Sequence, residues 1–242
     1  WKKKMSEELK LHKGVWIRPG DGSDKNMVNE ALENYADIDL DENSVVLDLG
    51  VNVGSFAFMC NRAGVKHYYG VEPMEENIAV ALKNIGEGYQ VELGAVTGTS
   101  DETIDFYIRP SKNGSCSSTV NPHRIQKAMT KILVPNINFT ELMTKYPFTH
   151  VKIDIEGGEK TFPMETYIWP DTVKQVAFEV HTKPYCHWFE DNIHGRFLEQ
   201  GFTLARAETN YGFCGKDEPM TNIFGKEYCG SLFGVDLLYK RP

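Results

Sequence analysis

The 242-residue chain has no apolar run approaching the roughly 18 to 20 residues that a membrane-spanning helix needs. It has no surplus of positive charge either: 26 Lys and Arg stand against 34 Asp and Glu, a formal net charge of −8. The molecule as a whole is therefore not built for non-specific attraction to a phosphate backbone, although this leaves room for a local basic patch. Cysteine is sparse. Cys60, Cys116, Cys186, Cys214 and Cys229 make an odd count without a CxxC pair, which suits reduced thiols better than a disulfide framework or a zinc knuckle and points to a cytoplasmic setting. No signal peptide is expected, because Lys2 to Lys4 run into Ser6-Glu7-Glu8 instead of an apolar stretch. The start at Trp1, without methionine, fits one domain of a longer polypeptide. Repeats, low-complexity tracts and linkers are also missing. At 27.5 kDa with 41% hydrophobic residues, the expectation is one large α/β domain.

Residues 1–44 read as a helical preface packed on the same domain, with Met27, Val28, Ala31, Leu32 and Tyr35 at helical spacing after the turn-rich Pro19-Gly20-Asp21-Gly22. From 45 to 242 the pattern becomes that of an alternating α/β domain. Val45 to Leu49 is a short apolar run typical of a strand buried on both faces, followed by a helix over Ser55 to Ala63. A strand over Tyr68 to Pro73, a helix over Glu75 to Ile85 and a strand over Tyr89 to Val96 continue the alternation, which implies crossover connections and a parallel sheet. Thr103 to Arg109 alternates like a strand, and Ser111 to Asn121 is a polar loop. Then come a helix over Phe139 to Lys145, strands over His150 to Ile155 and Val173 to Val180, and a helix over Asn192 to Gln200. Phe202 to Ala207 and Leu232 to Tyr239 have no helical pattern between them and are expected to form an antiparallel pair.

The most informative stretch is Asp48-Leu49-Gly50-Val51-Asn52-Val53-Gly54, where a strand ends and a helix begins. Glycines there allow a tight turn and close ligand approach, and the helix start presents unpaired N–H groups. Glu72 closes the next strand, where an acid can accept both hydroxyls of a ribose. The G-x-G-x-x-G fingerprint of dinucleotide sites is absent, with Asn52 in the place of the middle glycine, and no P-loop occurs. A pyrophosphate fits poorly beside Asp48. A ligand with an amino-acid tail fits better, and S-adenosyl-L-methionine combines an ammonium group for Asp48 and a ribose for Glu72 with no phosphate.

On these residues the sequence resembles the class I methyltransferases, and more narrowly the FkbM family. The likeness runs over about residues 15–181: Ile17-Arg18-Pro19-Gly20, the cofactor loop from Asp48 to Phe56, Val71-Glu72-Pro73, Gly94-Ala95-Val96, Asn113-Gly114-Ser115, and Lys152-Ile153-Asp154-Ile155-Glu156-Gly157-Gly158-Glu159. It implies a three-layer sandwich around a seven-stranded, mostly parallel sheet whose last strand is antiparallel. It also implies cofactor contacts from Asp48, Gly50, Asn52, Gly54, Ser55, Phe56, Glu72 and Pro73, with Ala95 and Val96 against the adenine. Val51 replaces the usual alanine.

Methyl transfer from a sulfonium needs alignment of the acceptor and exclusion of water, and a hydroxyl acceptor must also lose its proton. Candidate groups lie where two further strands end: Asp154, Glu156 and Glu159 on one, Glu179 and His181 on the other. Strand alternation would put Asp154 with Glu156 and Glu179 with His181. Such a group can be a base cluster, with His181 or Asp154 as the base and Asp154 alternatively holding the cofactor's methionine end. It can equally be an oxygen-rich metal site formed by Asp154, Glu156 and Glu179; magnesium stays open, because no recognisable ligand spacing marks it. Glu156 and Glu159 can also be read as merely capping a following helix. Tyr185, His187, Trp188 and Phe189 read either as an acceptor lid or as core cover, and His123, Arg124, His194 and Arg196 either as a phosphate site or as scattered surface charge.

The first reading is an O-methyltransferase acting on a hydroxyl of a sugar, glycan or related small molecule, an acceptor class implied by the resemblance. RNA 2′-O-methylation is the second, since Lys152, Asp154, Lys174 and Glu208 can be threaded onto a Lys-Asp-Lys-Glu set, but the net charge is wrong for that partner. A cofactor-binding module without turnover is the third. The acceptor's identity and the oligomeric state are left open.

Overall fold

Short apolar runs bounded by turns become the central strands of one sheet. The computed structural model describes residues 8–20, 23–108, 129–180, 193–209, 220–221, 227–228 and 235–242. A hairpin of β1 (Lys10–His12) and β2 (Val15–Ile17) precedes α1 (Ser23–Asn34). The alternating part follows as β3 (Val45–Leu49), α2 (Ser55–Arg62), β4 (His67–Glu72), α3 (Glu75–Ala81) and β5 (Gln90–Leu93). Next come β6 (Ala95–Thr97), β7 (Thr103–Ile108), β8 (Thr130–Asn138), α4 (Phe139–Lys145), β9 (His150–Ile153) and, after a 3-10 turn at Gly158–Thr161, β10 (Gln175–Val180). The chain continues through α5 (Gly195–Glu199), β11 (Thr203–Thr209), the short β12 (Met220–Thr221) and β13 (Glu227–Tyr228), and β14 (Val235–Lys240).

Seven strands form the main sheet in the order β11-β14-β10-β9-β3-β4-β5. The pairs from β10 through β9, β3 and β4 to β5 are parallel. Strand β14 is inserted antiparallel to both β10 and β11, as the sequence suggests for the last two long strands. Sheet residues alternate between two cores. Leu47, Leu49, Val151, Ile153, Val176 and Phe178 face a cluster built with Phe139, Leu142 and Met143 of α4, Phe197 of α5 and Trp169. Val46, Tyr68, Ala177 and Leu238 face the other way, against Ala31 and Tyr35 of the preface and Phe56, Ala57 and Cys60 of α2. The result is a three-layer α/β sandwich.

The structure corrects the sequence expectation at four places. The preface carries the β1–β2 hairpin as well as its helix. The strand expected over Tyr89 to Val96 breaks at Gly94, where a Cβ would come within 2.9 Å of Ile137 Cδ1 and 3.1 Å of the Pro135 carbonyl. β5 therefore stays in the main sheet, whereas β6 leaves it for a three-stranded sheet with β8 and β7. Strand β8, unrecognised from the pattern, carries Pro135 and pairs with both β6 and β7. β9 stops at Ile153, two residues early, which removes the alternation expected to set Glu156 beside Asp154. Among the described residues no helix is long and apolar enough to cross a membrane.

Candidate active site

The carboxyl ends of β3, β4, β9 and β10 lie at one rim of the sheet, so the residues just beyond them converge. After β3 the chain turns through Gly50 (φ 86), Asn52 (φ 51) and Gly54 (φ 84), all left-handed. At Gly50 a Cβ would stand 2.0 Å from the Asp154 carbonyl oxygen, so only glycine lets this loop lie against the end of β9. A Cβ at Gly70 would meet Val51 Cγ2 at 2.4 Å. The missing side chain on β4 is thus what accommodates valine where the resemblance leads one to expect alanine. Gly54 caps α2, whose first residues are Ser55 and Phe56. Both are buried, and the Phe56 ring packs edge-on against Tyr35 with centroids 5.2 Å apart.

Glu72 is buried at the end of β4, with 4% of its surface exposed. Its Oε2 accepts the Asn52 N–H (2.8 Å), and its Oε1 accepts the Met74 N–H (3.1 Å) and Asn77 Nδ2 (2.9 Å). Burial raises the carboxyl's pKa, and the three donors only partly offset that rise. Pro73 is half-buried beside it. Ala95 and Val96 are buried in β6, Ala95 in a small cluster with Met74 and Phe106, Val96 in the main core.

Beside this acid lies an ionic cluster in which the sequence reading gave too little weight to Lys152. Asp48 and Lys152 occupy facing positions on β3 and β9. Asp48 is fully buried: Tyr68 donates its hydroxyl to Oδ2 at 2.5 Å, and Lys152 Nζ lies 3.2 Å from Oδ1. The cation that Asp48 meets is thus a side chain of this protein. Lys152 Nζ also donates to the carbonyls of Gly50 (2.7 Å) and Leu49 (3.3 Å) and lies 3.5 Å from Asp154 Oδ2. Burial by itself would lower the lysine's pKa, but Asp48, Asp154 and Glu179 outweigh it and the pKa is raised. One ammonium group thereby ties together the glycine loop, the buried aspartate and the acid at the rim.

Asp154 is the accessible member, with 29% of its side chain exposed. Its Oδ2 accepts the Tyr35 hydroxyl at 3.3 Å. The Tyr35 pKa is held well above its usual value by burial and then by Asp154, Glu179, Asp236 and Asp48. Glu179 faces Asp236 across the β10–β14 pair, and Asp236 takes Asn34 Nδ2 on Oδ2 at 2.7 Å. Asp236, the second residue of the returning strand, was missed by the sequence reading. It could have been found by noticing that an antiparallel last strand starts at the same rim where the parallel ones end. Glu156 adopts φ 54 and Gly157 φ 100, which turns the chain out of strand geometry. Glu159 folds back onto the Gly157 N–H (2.8 Å), the capping arrangement. Among the described residues no three or more His, Cys, Asp or Glu side chains are grouped to hold a metal, so Asp154, Glu156 and Glu179 do not form one ligand set.

Lys174 does not join the cluster. It precedes β10 at the opposite rim and donates to the Pro242 carbonyl at 2.6 Å, which dismantles the Lys-Asp-Lys-Glu scheme. His194 meets the Tyr239 hydroxyl at 2.9 Å, and Arg196 pairs with Glu199 at 2.6 Å. His181, Tyr185, His187, Trp188, Phe189, His123, Arg124 and the loop around Asn113 to Thr119 lie outside the described residues, as do Cys116, Cys186, Cys214 and Cys229. Cys60 is a buried free thiol in α2.

A model of the methyltransferase FkbM domain matches residues 48–204. No curated protein sequence matches the chain. Among solved structures, one described as a SAM-dependent methyltransferase from Streptococcus mutans superposes with a TM-score of 0.50 at 9% identity, over 96% of this chain and 55% of that one. Magnesium protoporphyrin IX methyltransferase from Synechocystis, with bound SAM, gives 0.41 at 13% identity over 91% and 80%. The TYW2 protein of M. jannaschii in complex with AdoMet gives 0.41 at 11% identity over 97% and 86%.

Proposed function

The chain belongs to the FkbM methyltransferase family, and we propose that it transfers the methyl group of S-adenosyl-L-methionine to a hydroxyl of a sugar, glycan or related small molecule. Methyltransferase chemistry and the cofactor follow from the family; the acceptor is the finer step. The residues present fit the cofactor. Gly50 and Gly54 let the loop fold tightly against the Asp154 carbonyl and Ala81, and Glu72 at the end of β4 accepts three hydrogen bonds, which leaves a lone-pair position on Oε2 for a ribose hydroxyl. When bound, this cofactor supplies an electrophilic methyl group on a sulfonium.

The observation that carries the hydroxyl reading is Asp154. It is a partly exposed carboxylate beside the glycine loop, and its contacts with Tyr35 and Lys152 both run through Oδ2. Oδ1 is the atom we assign to the acceptor's proton. Lys152 and Tyr35 steady the carboxylate from behind and keep its charge compensated while the loop aligns the acceptor. A net charge of −8 favours an uncharged acceptor over a polyanion.

The test is turnover to S-adenosylhomocysteine across sugar, nucleoside and RNA acceptors. Product with sugars and none with RNA is expected. Product with RNA alone would overturn the acceptor class, and cofactor saturation without turnover on any hydroxyl would mark a binding module. Metal dependence is read in the same assay by adding a chelator and then restoring magnesium.

A further inference from the structure

The family match begins at residue 48, yet a hydrogen-bonded path to the ribose acid starts thirty residues earlier. Arg18, just after β2, is gripped by Asp24 in the first turn of α1. The Arg18 Nε donates to Oδ2 (2.9 Å), Nη2 donates to Oδ1 (2.8 Å), and the backbone N–H of Arg18 also donates to Oδ2 (2.8 Å). Asp24 is only 3% exposed. The same Nη2 reaches across to α3 and donates to Asn77 Oδ1 at 2.9 Å. Asn77 is 2% exposed, and its Nδ2 donates to Glu72 Oε1.

A primary amide has an acceptor end and a donor end, and only its surroundings decide which way round it sits. Reversing Asn77 would set its NH2 against a guanidinium that can only donate and its oxygen against a carboxylate. Arginine cannot lose its proton under ordinary conditions, so the orientation is imposed permanently. We propose that Arg18 is a positioning residue for cofactor binding: it fixes the Asn77 amide so that Glu72 is held with its remaining lone pair, on Oε2, toward the ribose. Asp24 aims the guanidinium by occupying the other side of its fork, which a lysine ammonium could not satisfy together with Asn77. The inference rests on the reading of Glu72 as the ribose acid.

The experiment is a double-mutant cycle on the full chain, titrating S-adenosylhomocysteine by calorimetry into wild type, Arg18→Gln, Glu72→Ala and the double variant. Folding is checked by circular dichroism and melting. Arg18→Gln is expected to weaken binding about tenfold, the scale of one lost charge-assisted hydrogen bond. The double variant should bind no more weakly than Glu72→Ala alone, because Arg18 acts through that carboxylate. Arg18→Lys keeps the charge opposite Asp24, and with it the fold, yet should show the same loss. In 1H–15N spectra, the Asn77 side-chain amide, identified by its absence in Asn77→Leu, should lose its slowed exchange in both Arg18 variants. Additive losses in the cycle, or wild-type affinity in a folded Arg18→Lys protein, would overturn the positioning role while leaving Glu72 as the ribose acid. Unchanged affinity in Glu72→Ala would overturn the ribose reading and the proposal with it.

Discussion

Two acids end neighbouring parts of the same rim, and the protein holds them in opposite ways. Glu72 is buried and bound by neutral donors, the N–H groups of Asn52 and Met74 and the amide of Asn77, and burial raises its pKa. Asp154 is partly open, and its support is a buried cation and a tyrosine hydroxyl. Neutral dipoles orient a carboxylate without cancelling its charge, which suits a group that must accept a hydroxyl of a bound ligand in one geometry. A lysine ammonium and a tyrosine hydroxyl on the same oxygen hold the Asp154 carboxylate in one orientation, which suits a group whose other oxygen is to meet the acceptor. Lys152 belongs to both halves, since it also clasps the Leu49 and Gly50 carbonyls of the cofactor loop.

Lys152→Met should give the largest effect, because it breaks the tie between the two halves. Asp48 would be left buried without its cation, at a cost of about 3–5 kcal/mol in urea unfolding, and adding Asp48→Asn should recover part of it. Asp154→Asn should lower turnover about 10²-fold or more while S-adenosylhomocysteine affinity stays within a few-fold. Equal losses in both would move Asp154 to the binding half. Glu72→Ala should weaken cofactor affinity about 10- to 100-fold, on the scale of one lost hydrogen bond to a charged group, and also lower the melting temperature, because three buried donors lose their acceptor.

Tyr68→Phe is the mildest, about 1–2 kcal/mol, for leaving Asp48 Oδ2 without its donor. It should also change how stability depends on pH. Burial, and then Asp48, hold the Tyr68 pKa well above the ordinary 10.0. Above pH 10 the unfolded chain therefore binds fewer protons than the folded one. Stability is present below that pH and lost as pH rises, and Phe at this position should flatten that part of the alkaline slope measured by denaturant titration.

Much of this site was legible in the chain itself. The glycine loop, the acid closing β4 and the acid beyond β9 stand at strand ends that hydrophobic runs reveal, and α4 falls on Phe139–Lys145 as expected. Local pattern failed where a partner far along the chain decides the outcome. Strand β8, with Pro135 and a mixed pattern, exists because β6 and β7 pair with its two edges. Glu156 left the face assigned to it because β9 stops at Ile153 and the chain then turns through two successive left-handed residues, Glu156 and Gly157.

By itself the sequence determined the alternation of elements, the tight turn after Asp48 and the identity of the acids available at the rim. These depend on residue-by-residue conformational preference and on periodicity, which are local. Tertiary structure alone decided that Asp48 meets Lys152 instead of solvent, that Tyr35 backs Asp154, and that Arg18 reaches Asn77 across 59 residues of chain. Such pairings follow from desolvation. A charged or polar group withdrawn from water takes whatever complementary partner the packed layers bring to it, and no short stretch of sequence names that partner.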